Sequence, residues 1–264
     1  MSFALLSSTR YDPFLISCPW NNDPDGPSPY FLLHYQADRL IRSAALHDQV
    51  FQEGTTLSKV KTVCDKAVQE HNDSRGETPL KLRVVLDPSG ELSATASPAK
   101  EFESDPTLPS LFNPATDSPP ALVLTIHIDT QPTSDTTSLK TTDRRAYDDA
   151  RVRAGLQPVG SLDPPASHAP DDVILYNTRN IVTESSVCNV AFYRNGRWVT
   201  PPLAAGCISG VLRRWLIEQH RIFEAAEDEF TIDGIKDGEW VLVSNGVFGC
   251  KLGRIKLHTS DKMD

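Results

Sequence analysis

Apolar residues recur along the chain with two different periods, and the period changes mark its elements. Ala37, Leu40, Ile41, Ala44 and Ala45 fall at helical spacing within 37–50. Leu57, Val60, Cys64, Ala67 and Val68 repeat that spacing, so two amphipathic helices are expected early in the chain. The pattern then tightens: LKLRVVLD (80–87), a Pro88-Ser89-Gly90 turn and ELSATA (91–96) predict two strands, and ALVLTIHI (121–128) predicts a third. Between them, 97–120 carries too many prolines for regular structure and is expected to be a surface loop. The Pro/Ser/Thr/Asp run 129–138 offers turn residues and little surface to bury, which predicts a linker between domains at 1–128 and 139–264. Beyond it the pattern predicts a helix near 143–154, a strand at 172–176 and a hairpin VAFYR-NG-RWVTP, whose Asn195-Gly196 suits a type I′ turn. A helix after Ser209-Gly210 and a strand at 239–245 complete an α+β chain.

Composition narrows the class. With 264 residues the chain can bury a substantial core, and no apolar run approaches the roughly 18 residues of a membrane span. The start, MSFALLSSTRYDPF, lacks a basic segment followed by a long apolar one, so a cytoplasmic protein is expected. A net charge of −9 without a Lys/Arg block argues against nucleic acid or an anionic membrane as partner, so an anionic ligand needs locally placed cations and amides. The five cysteines (Cys18, Cys64, Cys188, Cys207, Cys250) form no CxxC pair and read as reduced, buried thiols. The seven histidines show no metal-ligand spacing.

One lysine stands out: Lys140, in SLKTTDRRAYDDAR (138–151), sits where the polar run ends and a helical pattern begins. Read with HYQADRLIRSAAL (34–46), NIVTESSVCNVAFY (180–193) and LAAGCISGVLRRWL (203–216), it completes a pattern. The chain resembles the fold type IV pyridoxal-phosphate enzymes, which include the branched-chain and D-amino-acid aminotransferases and aminodeoxychorismate lyase. The likeness runs from LLSSTR through H-x4-RL-x2-SA, K-T-T-x-R-x2-Y, V-T-E-S-x3-N, T-P-x-L and the turn at Gly210 to the late Ser244-Asn245-Gly246. It implies a two-domain α+β fold of the D-amino-acid aminotransferase type, pyridoxal 5′-phosphate as cofactor without a metal, and a homodimer acting on a small amino substrate.

The chemistry explains why these residue types are wanted. A pyridoxal cofactor is held covalently by an amine that, once displaced by substrate, can move the Cα proton. Lys140 matches that lysine. The ring withdraws electrons only while its nitrogen stays protonated, which a neighbouring carboxylate favours. Glu184 matches that carboxylate, with Asn189 following on the same segment. The phosphate needs a cation and unpaired backbone amides, roles matched by Arg39 and by Gly210, Val211 and Leu212 at a helix start, with contacts from Ser244 and Asn245. Taken one at a time, these are an ordinary solvated lysine, a surface glutamate, a polar-face arginine and a routine helix start. Thr9, Arg10, Thr141, Thr142, Arg144 and Tyr147 also match motif positions, with structural and site-supporting readings both open; Arg144 and Tyr147 share a helical face.

Within the family, KTTDR differs from the small, aromatic-containing run that follows the lysine in branched-chain enzymes. The KTTDRRAY and LLSSTR stretches most resemble the aminodeoxychorismate lyase branch, which converts 4-amino-4-deoxychorismate to 4-aminobenzoate and pyruvate in folate synthesis. The alternative is a fold type IV aminotransferase using a keto-acid acceptor. Ser8 replaces the acidic residue common in the family's opening, and the segments 97–120 and 157–170 are longer than the family pattern. A non-catalytic protein on the same fold is a third reading, opposed by the joint presence of Lys140, Glu184 and Arg39.

Overall fold

The computed structural model describes residues 3–47, 50–51, 54–72, 78–133, 139–226 and 229–257. These form two compact units: Met1–Pro106 with Leu139–Asp143 and Gly246–Gly249, and Thr107–Ser138 with Arg144–Asn245 and Cys250–Asp264.

The first unit contains β1 (Leu5–Tyr11), the short pair β2 (Asn22–Asp23) and β3 (Gly26–Pro27), α1 (Leu33–Ala45), α2 (Leu57–Asn72), β4 (Leu80–Leu86) and β5 (Leu92–Pro98). Its main sheet has the antiparallel order β1-β4-β5. In β4 the alternation is plain: Leu80, Leu82, Val84 and Leu86 are buried while Lys81 and Arg83 are exposed. These residues meet Leu33, Ala37 and Leu40 of α1 and Val60 and Cys64 of α2 in one apolar core, which burial from water favours. Leu139 joins that core, and the chain beside it pairs with β1 through a Leu5–Thr141 bridge and a Leu6 N–H to Lys140 C=O bond of 2.8 Å.

The second unit contains β6 (Leu124–Ile128), α3 (Arg145–Arg153), β7 (Asp172–Tyr176), β8 (Val182–Ser185), β9 (Asn189–Arg194), β10 (Arg197–Thr200), α4 (Val211–Glu218), β11 (Phe223–Glu224), β12 (Trp240–Asn245) and β13 (Gly249–Ile255). Its sheet runs β11-β10-β9-β12-β13-β6-β7-β8. The β9–β10 turn has positive φ at both Asn195 and Gly196, as a type I′ turn requires.

The elements expected from periodicity are present, with α1 beginning earlier and the third strand later than the apolar pattern suggested. The boundary differs more. The chain divides after Pro106, because β6 pairs in parallel with both β7 and β13 and so lies inside the second unit's sheet. Parallel pairing between distant segments leaves no turn signal between them, which is why the polar run 129–138 looked like the division. Residues 134–138 of that run lie outside the described residues. Besides the two-residue strands β2, β3 and β11, the periodic reading missed β1, β8 and β13; in β1 and β8 polar residues are buried, Ser7, Thr9 and Arg10 in β1, Thr183, Glu184 and Ser185 in β8. In β13, Gly249 and Gly253 interrupt the apolar pattern.

Candidate active site

In the first unit, β1 organises the residues singled out above. Lys140 is half-buried, held through its own carbonyl by Leu6 and through its neighbour Leu139 by the core. Thr142 accepts at Oγ1 from the Ala4 N–H (3.2 Å) and donates its own N–H to the Ala4 carbonyl (2.9 Å). Thr141 and Thr142 therefore pair with the approach to β1, while the residue that precedes α3 is Arg144. Arg39, one turn after Gln36 on α1, donates from Nη2 to Ser7 Oγ (2.8 Å) and Gln36 Oε1 (3.1 Å). Ser7 Oγ also donates to Gln36 Oε1 at 2.6 Å, and Gln36 Nε2 donates to the Ser8 carbonyl.

Ser7 and Gln36, both fully buried, were missed in the sequence, where a Ser in a motif and a Gln on a helix carry no charge to attract notice. Thr9 donates to the Phe31 carbonyl at 2.9 Å. Arg10 is bound to Asp12 through two nitrogens and to the Lys100 carbonyl, with its guanidinium 3.7 Å from the Phe102 ring centroid. The described contacts of both lie within this unit.

The second unit gathers a buried carboxylate and its donors. Glu184, on β8, is 3% exposed. Its Oε1 accepts from Tyr147 Oη at 2.7 Å; its Oε2 accepts from the Ile208 N–H at 3.2 Å and from Asn189 Nδ2 at 3.5 Å. Asn189, at the start of β9, also donates to the Ile208 carbonyl at 2.9 Å. Burial pushes the Tyr147 phenol well above its ordinary value, and the Glu184 charge adds to the effect, so the phenol keeps its proton and acts as a donor.

Gly210 precedes α4, and Val211 and Leu212 form the helix's buried first residues. Among the described residues no side chain caps that first turn, so its amides remain available to an anion. The reason for glycine here is space: φ is −68°, and a Cβ would lie 1.7 Å from Asn189 Oδ1. Gly210 thus permits close approach to Asn189, a demand invisible in the sequence. Ser244 is buried opposite Asn189 in the β9–β12 ladder, and Asn245 Nδ2 donates to the Val187 carbonyl at 3.3 Å.

Next to Glu184 in the chain, Ser185 and Ser186 belong to a polar group that the sequence did not announce. Asp172 accepts from Ser185 Oγ (2.6 Å), Ser186 Oγ (2.5 Å) and the Val173 N–H (2.8 Å). Burial pushes its carboxyl above the usual range, against those hydrogen bonds and Arg151. Arg144 donates from Nη2 to the Ser186 carbonyl and Arg151 from Nη1 to Ser186 Oγ, each at 2.9 Å. Among the described residues no cluster of His, Cys, Asp or Glu could hold a metal ion, and no helix is long and apolar enough to cross a membrane.

Comparison with known proteins identifies the family and the fold. The family model for amino-transferase class IV matches residues 25–251. A Saccharomyces cerevisiae protein named aminodeoxychorismate lyase is 35% identical over 127 residues, 46% of this chain and 33% of its own. A Schizosaccharomyces pombe protein named as a candidate for that lyase is 46% identical over 74 residues, 28% of this chain and 32% of its own. The matched stretches therefore span about a third of each relative. The branched-chain amino acid aminotransferase of Escherichia coli superposes with a TM-score of 0.62 at 13% identity, covering 97% of this chain and 77% of that one. At that identity the likeness is one of fold.

Proposed function

We propose, from the premise that the chain belongs to the amino-transferase class IV family, that it is a lyase converting 4-amino-4-deoxychorismate to 4-aminobenzoate and pyruvate. The family's enzymes depend on pyridoxal 5′-phosphate, and that is the cofactor of this chain. The observation that carries the choice of reaction is the 35% identity, over 127 residues, to a protein named for it, in a chain that also carries KTTDRRAY.

The donor set fits the cofactor. Glu184 is a buried carboxylate with donors on both oxygens, suited to accept a further hydrogen bond from a protonated ring nitrogen. The first turn of α4 offers uncapped amides, and Arg39 offers a guanidinium fixed by Ser7 and Gln36. When bound, the cofactor supplies an electron sink for the substrate's Cα. By the family likeness, Lys140 would hold it and, once released, would take the Cα proton on its Nζ. Glu184 would hold the ring proton in place. Arg39, the amides of Val211 and Leu212, Ser244 and Asn245 would bind the phosphate, and Asn189 would orient Glu184. The C–O bond to the enolpyruvyl group would then break with its electron pair on oxygen, leaving an aromatic ring and an enolate that takes up a proton to become pyruvate; the gain in aromatic stability drives the reaction. On the same family likeness, the protein works as a homodimer, which light scattering of the purified protein tests.

The deciding assay supplies aminodeoxychorismate with no keto acid. A lyase regenerates its cofactor in every cycle, so 4-aminobenzoate and pyruvate accumulate in equal amounts over many turnovers. Absence of 4-aminobenzoate, together with sustained turnover of an amino donor and a keto acid, makes the chain an aminotransferase. Borohydride reduction followed by peptide mapping is expected to recover the cofactor on Lys140; recovery on another lysine removes that residue from the mechanism. Glu184→Gln is expected to retain cofactor and to lose turnover by on the order of a hundredfold or more, because an amide no longer favours the protonated ring.

A further inference from the structure

The geometry points to Tyr147 as the positioning residue for Glu184: its phenol keeps the carboxylate ionised and in one orientation, so that the proton shared with the cofactor stays on the ring nitrogen. This rests on the assignment of Glu184 made above and extends it to the residue whose phenol donates to Oε1 of that carboxylate.

Tyr147 donates to Glu184 at 2.7 Å, a shorter contact than those from Ile208 and Asn189 at 3.2 and 3.5 Å. The hydrogen bond is buried, and the phenol's own titration is driven upward by burial and by the Glu184 charge, so Tyr147 gives a proton to the hydrogen bond without losing it. A donor aimed at the charged form of an acid favours that form. Without it, a buried carboxylate gains proton affinity and competes with the ring nitrogen for the proton they share.

The placement is built into α3. Arg144, just before the helix, and Tyr147 and Arg151 within it lie at i, i+3 and i+7, one stripe of its surface. All three reach the end of β8 and the residue after it: Arg144 the Ser186 carbonyl, Tyr147 Glu184, Arg151 Ser186 Oγ. Asp172 of β7 also holds Ser185 and Ser186 through their hydroxyls. Residues 184–186 are thereby clamped, with Tyr147 supplying the member that meets the carboxylate itself. A packing role is the competing explanation, because the Tyr147 ring also lies in an apolar cluster with Ala150, Leu156, Val173 and Leu175.

Cofactor binding separates the two. The full chain, freed of cofactor, is titrated with pyridoxal phosphate and with its 1-deaza analogue, in which CH replaces the ring nitrogen. Wild type is expected to prefer pyridoxal phosphate. Tyr147→Phe keeps the ring and removes one oxygen; it is expected to lose about tenfold in affinity for pyridoxal phosphate, the scale of one hydrogen bond to a charged group, with the analogue's affinity nearly unchanged. Equal weakening of both ligands makes Tyr147 a packing residue and overturns the proposal, as does unaltered discrimination, which leaves the Glu184 assignment standing. A wild type that does not discriminate overturns both. If Tyr147→Phe does not fold, 3-fluorotyrosine at position 147 preserves the shape and strengthens the donor; it is expected to widen the discrimination, and an unchanged or narrower one overturns the proposal.

Discussion

Two charged residues, one in each unit, are held in contrasting ways. Arg39, half-buried on α1, rests on two neutral acceptors that also bond to each other, Ser7 Oγ and Gln36 Oε1 at 2.6 Å. Removing its guanidinium leaves that pair intact. Glu184 is nearly inaccessible, and the Tyr147 phenol and Ile208 amide that solvate it would lose this acceptor in its absence. A charge at a half-buried helical position can be altered with little effect on folding, whereas a buried anion ties ligand binding to stability.

The sharpest way to break this contrast is Gly210→Ala. Its Cβ would meet Asn189 Oδ1 at 1.7 Å and Cγ at 2.9 Å, so Asn189 must move and loosen its contacts to Ile208 and Glu184. Overpacking of this kind costs about 1–3 kcal/mol, read by chemical denaturation, and cofactor affinity should fall with it. Unchanged stability would mean that the second unit is as tolerant as the first.

Arg39→Ala tests the other side. Cofactor affinity should fall by roughly tenfold through loss of a charge-assisted phosphate contact, while unfolding free energy changes by less than about 0.5 kcal/mol. A larger stability loss would show that the Ser7–Gln36 pair depends on the guanidinium.

The smallest effect concerns Asp172→Asn and its sign with pH. Burial raises the Asp172 carboxyl, so the folded chain binds this proton more tightly than the unfolded chain. Wild-type stability from this group therefore falls as pH rises from the ordinary carboxylate range through the folded value. An asparagine has no such proton, so the stability gap between wild type and Asp172→Asn should narrow as pH rises above the ordinary carboxylate range of about 4. A gap that widens would indicate that the Ser185, Ser186 and Arg151 contacts outweigh burial.

The fold was legible wherever burial follows a local period. Leu80, Leu82, Val84 and Leu86 announce β4, and Asn195-Gly196 announces the turn between β9 and β10. In β8 the residues VTES are all buried although half of them are hydroxyl-bearing, because Thr183 donates to the Leu175 carbonyl and Ser185 to Asp172. Polarity signals exposure only when partners are absent, and partners thirteen residues away are not part of a local pattern. For the candidate site, Lys140, Arg39 and Glu184 were readable as motif members. Ser7, Gln36, Asp172 and the Ile208 amide were not, since each acts through a hydrogen bond that only the folded chain creates.

By itself, then, the sequence determined the local elements, the residue types suited to a pyridoxal cofactor and the family those types belong to, because spacing along a helix or strand and the identity of a reactive group are properties of the chain. Only the tertiary structure decided where the units divide, since that depends on β6 lying in parallel between β13 and β7. It alone placed Thr142 beside Ala4, 138 residues away, bringing the Lys140 segment to β1. It alone set the Tyr147 phenol against Glu184 and the Gly210 backbone against Asn189. Hydrogen bonding and close packing act over a few ångströms of space at any separation along the chain, and neither leaves a period for the sequence to display.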